Sequence, residues 1–87
     1  MKIKQGFIMR DIAGETIVVP SGDELNLNMM ITLNHTGKFL WEKLDSGSTM
    51  DELVQAMLAE YDVDEQTARL GAESFVEKLR EKEILEL

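Results

Sequence analysis

The chain contains no cysteine. That excludes disulfide staples, thiolate metal ligands, iron–sulfur ligation and a thiol nucleophile, and it suits the cytoplasm, the expected location. Histidine occurs once, at position 35, so a metal site would need carboxylates alone, and none is expected. The single proline and six scattered glycines form no low-complexity stretch. No apolar run approaches the roughly 18 residues of a membrane span, and Met1–Gly6 leads into no signal-peptide core. Basic residues are scarce as well. Nine Lys and Arg face seventeen Asp and Glu, for a net charge of −8, and each third of the chain is acidic on balance. Nucleic acid is therefore not an expected partner, because a phosphate backbone needs a Lys/Arg surface to release its counterions.

What is present is a globular composition: 87 residues, 44% hydrophobic and 30% charged. The length suits one domain spanning 1–87 with a modest core. Its first third has strand character. Phe7–Ile12 is apolar with polar interruptions, Ala13-Gly14-Glu15 is a turn in which Gly14 can take a positive φ, and Thr16–Val19 is β-branched throughout. After Pro20 and the polar Ser21–Glu24, residues 25–33 alternate. Leu25, Leu27, Met29, Ile31 and Leu33 share one face, while Asn26, Asn28, Met30 and Thr32 share the other. Three strands with short connections make an antiparallel meander.

The remainder reads as three helices. Asn34 caps the first, with Gly37, Leu40, Trp41 and Leu44 on its inner stripe. Thr49 with Glu52 forms a capping box ahead of Met50, Leu53, Val54, Met57, Leu58 and Tyr61. Asp64 caps the third helix, whose inner stripe is Ala68, Ala72, Phe75, Val76 and Leu79, and Ile84-Leu85 closes the core. Phe39 and Leu70 fall opposite their helices' stripes and are expected at the surface, as contacts for an enzyme or a second copy. The sum is an α+β domain of winged helix-turn-helix character, three strands and then three helices.

No catalytic constellation is visible: no G-x-S-x-G, no P-loop, no G-x-G-x-x-G. The acid pairs Asp51/Glu52 and Asp64/Glu65 lie in first helical turns, where carboxylates favour the helix dipole. The chain reads as a binder and not an enzyme. Two other classes are suggested by parts of it. A winged helix is usually a DNA reader, but its third helix here is rich in Glu. An acyl carrier is also small and acidic, but carriers are all-helical and Gly47 falls where a carrier's modified serine would stand.

At the junction of the third strand and first helix, Leu33-Asn34-His35-Thr36-Gly37 followed by Leu40-Trp41 and Leu44 resembles the hallmark of the coenzyme-PQQ synthesis protein D family. Thr49, Glu52-Leu53-Val54, Tyr61-Asp62, Phe75, Leu79 and Ile84-Leu85 follow in the family's order, so the resemblance covers nearly the whole chain. Three positions depart from it: His35 where an acidic residue is frequent, Gly47 one residue late in its turn, and Gly71 within the third helix. The resemblance implies a precursor-peptide recognition element. Such a domain holds the leader segment of a ribosomally made peptide and presents it to a modifying enzyme, often a radical-SAM enzyme. The short length suggests a separate, chaperone-like subunit and not a fused domain, and no cofactor is expected. The leader adds a strand beside the third strand, in a groove walled by the third helix. A general protein-interaction domain of the same fold is the alternative.

The residues support that mode. An edge strand offers unpaired backbone N–H and C=O groups, and an added strand gains affinity from them and selectivity from alternate side chains. Met29, Met30, Ile31 and Thr32 carry no charge that would block such pairing, and methionine adapts to varied apolar partners. On the third helix, with Ala68 at 0°, Val76, Arg69, Arg80 and Glu73 fall at about 80–140°. They are the expected helix wall, with the arginines suited to acidic leader residues. The opposite flank, with Lys78 and Lys82 at about 280–320°, is the other possibility. The free edge permits either a monomer or a homodimer.

Overall fold

The computed structural model describes residues 1–21 and 30–86. Its elements are β1 (Lys2–Ile3), β2 (Phe7–Ile12), β3 (Glu15–Pro20), β4 (Ile31–Leu33), α1 (His35–Asp45), α2 (Met50–Glu60), α3 (Glu65–Glu81) and β5 (Leu85–Glu86). Strands β2, β3 and β4 form an antiparallel sheet in that order, followed by the three helices, which makes the fold α+β. A second ladder, absent from the sequence reading, joins the two ends of the chain. It pairs Lys2 with Glu86 and Ile3 with Leu85, antiparallel. Two residues per strand carry too little periodicity to be read in advance.

The β2–β3 hairpin turns through Ala13 and Gly14, both at positive φ (53° and 84°). A two-residue loop of this hand matches the twist of the flanking strands. Glycine accepts such a φ readily, whereas Ala13 adopts it at some cost. Cross-strand register then fixes the faces. Met9, Val18 and Ile31 stand in one row, and Asp11, Thr16 and Leu33 in another. Val18, Ile31 and Leu33 are buried against the helices. Thr32 and Met30 are exposed, as the period of two requires. The strand expected over residues 25–33 is seen from Ile31 onward, and Leu25 to Met29 lie outside the described residues.

Each helix begins where its cap residue stands. Asn34 Oδ1 accepts from Gly37 N at 2.7 Å, and Asp64 Oδ1 accepts from Thr67 N at 2.7 Å. Thr49 and Glu52 form the reciprocal box, at 3.1 Å and 2.9 Å. The bond from Thr67 holds the Asp64 carboxyl below the ordinary carboxylate range. Removing the Thr49 hydroxyl in Thr49→Ala forfeits a cap worth about 1 kcal/mol. A melting temperature lower by about 4–8 °C is expected, with calorimetry as the check. The inner stripes meet as anticipated: Leu40, Trp41, Leu44, Leu53, Leu79 and Ile84 are all buried. Phe39 corrects an expectation. It is half-buried, its ring edge-on to Tyr61 at 5.4 Å, with the Lys43 ammonium 5.3 Å from its centre. Tyr61 at the end of α2 turns its ring back against α1, and no helical wheel drawn on one helix shows that. Leu70 is exposed, at 62%.

Candidate functional site

Strand β4 pairs with β3 on one side, and no other described strand takes its second side. Its neighbour across that open edge is a half-open cavity of about 710 Å³. One wall is Ile31, Thr32 and Leu33, and the other is Phe75 and Lys78 of α3. One end is closed by the β2–β3 turn, with Asp11, Gly14, Glu15 and Thr16, and by the start of α1, with Asn34, His35, Gly37 and Lys38.

The close approach of α3 to the start of α1 depends on Gly37. A Cβ there would lie 3.4 Å from Phe75 Cε1, 3.2 Å from Asn34 Oδ1 and 3.5 Å from Leu33 Cβ. Glycine thus lets the Phe75 ring sit against the helix start and face the cavity, while the same glycine N–H serves the Asn34 cap. The polar end is internally tied. Asp11 accepts from the Thr16 hydroxyl at 2.6 Å and lies 3.6 Å from the Lys38 ammonium. The Thr16 bond and then the Lys38 charge hold the Asp11 carboxyl below its ordinary range. His35 is exposed, with its ring edge-on to Tyr61 at 6.1 Å.

The positions singled out from the sequence are distributed unevenly. Ile31 and Thr32 line the cavity, Ile31 as a buried residue and Thr32 as an exposed one. Met30 is 40% exposed on the same face as Thr32 and outside the lining. Met29 lies outside the described residues. On α3 the structure does not bring Arg69, Glu73, Val76 or Arg80 to this cavity. Val76 is buried in the core, and Glu73 is exposed. Arg80 pairs with Glu77 at 3.5 Å. Arg69 reaches across to α2, meeting Asp51 at 3.1 Å as well as Glu65 at 3.6 Å. The Asp51 bond raises its pKa above the usual guanidinium value. The Arg69 flank therefore serves the α2–α3 contact, and the opposite flank reaches the strand. Phe75 is a wall residue that the sequence does not mark, because its place in the α3 stripe reads as core.

No group of three or more Asp, Glu or His among the described residues is placed to hold a metal ion. No helix among them is long and apolar enough to cross a membrane. Along α3, Glu65, Glu73, Glu77 and Glu81 outnumber Arg69, Lys78 and Arg80.

A solved structure described as TbiB1 in complex with the TbiA(beta) leader peptide is similar over 99% of this chain and 95% of that one. Its TM-score is 0.78 and its sequence identity 29%. No curated protein matches the chain. The family model for coenzyme PQQ synthesis protein D matches residues 15–85, which takes in β3, the open strand β4, all three helices and the start of β5. The chain belongs to the coenzyme PQQ synthesis protein D family.

Proposed function

We propose that this protein is a non-catalytic adaptor that binds the leader segment of a ribosomally made precursor peptide and presents it to a modifying enzyme, of which radical-SAM enzymes are the expected class. The observation that carries the reading is the open edge of β4 facing Phe75 and Lys78 across a cavity. An extended peptide fits there as a fourth strand. Its main chain pairs with β4, and alternate side chains enter the cavity. The similarity to a protein solved with its leader peptide supports the same reading. The whole chain, residues 1–87, acts as one recognition domain in this proposal, without a cofactor and in the cytoplasm.

The direct test is an amide-resolved NMR titration with leader segments from short reading frames beside the gene. Saturable shifts are expected on residues 30–34 and 71–79. The absence of shifts with every such peptide would turn the search to protein partners, the general interaction domain being the competing reading.

Met30→Glu separates binding from folding. Its side chain is 40% exposed at the start of the open strand, so a carboxylate there is solvated and stability should hold. A melting temperature within about 4 °C of the parent is expected. Leader affinity should fall roughly tenfold, since the charge stands beside the added strand. Unaltered affinity would count against β4 as the site.

A further inference from the structure

The cavity differs electrically from the rest of the molecule. Two carboxylates, Asp11 and Glu15, and two ammonium groups, Lys38 and Lys78, line it. Among the described residues its lining carries no net charge, whereas the whole chain carries −8. Within the cavity, Asp11 and Lys38 are spent on each other. Lys78 has no ion-pair partner among the described residues.

The position of Lys78 along the groove follows from the topology. The β2–β3 turn marks one end of the sheet, and Leu33 lies toward it, opposite Thr16. The other end is marked by Phe7 opposite Pro20, and Ile31 lies toward that end. α3 finishes on the second side. Ile84 accepts from Lys4 N at 2.8 Å, Leu85 pairs with Ile3, and Gly6 O accepts from Ser21 N at 2.7 Å. So α3 runs opposite in direction to β4. Phe75 stands near Leu33 and Gly37, and Lys78 lies one turn further, toward Ile31.

Resting on the peptide-binding reading above, we infer that Lys78 selects peptides carrying an Asp or Glu just C-terminal to the apolar side chain that packs on Phe75. Every strand pair in this sheet is antiparallel, and antiparallel pairing is the slightly more stable mode. A peptide added antiparallel to β4 runs in the same direction as α3. It meets Phe75 first and Lys78 second. Three residues of helix span about 4.5 Å, which an extended strand covers in one or two residues at about 3.3 Å each. The acidic residue is therefore placed one or two positions after the apolar anchor. The ammonium is the groove's unpaired cation among the described residues. It gives such a peptide a fixed position along the groove and sets its direction.

The test is selection of a displayed library of random ten-residue peptides against the parent protein and against Lys78→Glu, both verified as folded by circular dichroism. The parent is expected to enrich an apolar residue followed at one or two positions by Asp or Glu. Lys78→Glu is expected to keep the apolar anchor and to enrich Lys or Arg at the acidic position. A synthesised parent-selected peptide should bind Lys78→Glu at least about tenfold more weakly. If the variant enriches the same acidic peptides, or the parent enriches peptides without an acid, the assignment to Lys78 fails while peptide binding stands. If neither protein enriches any peptide, the peptide-binding reading fails, and the inference with it.

Discussion

Ile31→Lys is expected to abolish the cooperative fold. Ile31 is 5% exposed, in the row of Met9 and the fully buried Val18. A lysine there must bury an ammonium without a partner or pull β4 off the helices. Either outcome costs several kcal/mol. An 87-residue domain has a total stability of roughly 4–13 kcal/mol, so most of the margin is consumed. A drop in melting temperature of at least about 15 °C, or loss of a cooperative transition, is the expected circular dichroism result. Thr32→Lys, one residue away, puts the same charge on the exposed face and should leave the transition nearly where it was. The contrast tests strand register, because a slip of one residue exchanges the two faces. Equal melting of the two variants would show that β4 is not paired with β3 as Val18↔Ile31.

That contrast also shows why the alternation was legible in the sequence. Burial on one face of a sheet imposes a period of two, and Ile31, Thr32 and Leu33 obey it. The helix starts were legible for a similarly local reason. Asn34, Thr49 and Asp64 each cap through an oxygen three residues from the amide it serves, a relation contained in a few consecutive residues. The inner stripes of α1 and α3 follow from the helical period, Trp41 and Leu79 included. What was not legible depends on how separate elements meet. The β1–β5 ladder joins residues more than eighty positions apart. Phe39 is covered by Tyr61, which arrives from another helix. Arg69 has a free-looking position on a helical wheel but is held by Asp51 of α2. The wheel ranks α3 residues around their own axis and says nothing about which flank the strand will approach. Phe75 shows the same limit, since its place in the α3 stripe reads as core. In the structure it is half-buried, because Gly37 lets it stand between α1 and the cavity.

Gly37→Val should weaken recognition while leaving the domain folded. The first added carbon already meets Asn34 Oδ1 at 3.2 Å and Phe75 Cε1 at 3.4 Å, and valine adds two more. Asn34 can yield only by losing the 2.7 Å cap bond that starts α1, at about 1 kcal/mol. Phe75 can yield by swinging its ring into the cavity, where solvent offers room. Overpacking of this kind costs about 1–3 kcal/mol. Against this, removing a helical glycine recovers somewhat under 1 kcal/mol. The net destabilisation is thus roughly 1–3 kcal/mol, which leaves the domain folded at room temperature with a melting temperature lower by about 5–20 °C. Binding should suffer as well as stability, because the displaced ring occupies the space that an added strand's side chain needs. A loss of leader affinity of at least about thirtyfold, measured by calorimetry at 15 °C on protein shown to be folded, is expected. The double variant Gly37→Val/Phe75→Ala tests the route of the effect. With the ring removed, valine has room and nothing to push into the groove, so the double variant should bind leader about as well as Phe75→Ala alone does. If the double variant binds much more weakly than Phe75→Ala, the valine acts through the α1 cap and β4 and not through the Phe75 ring.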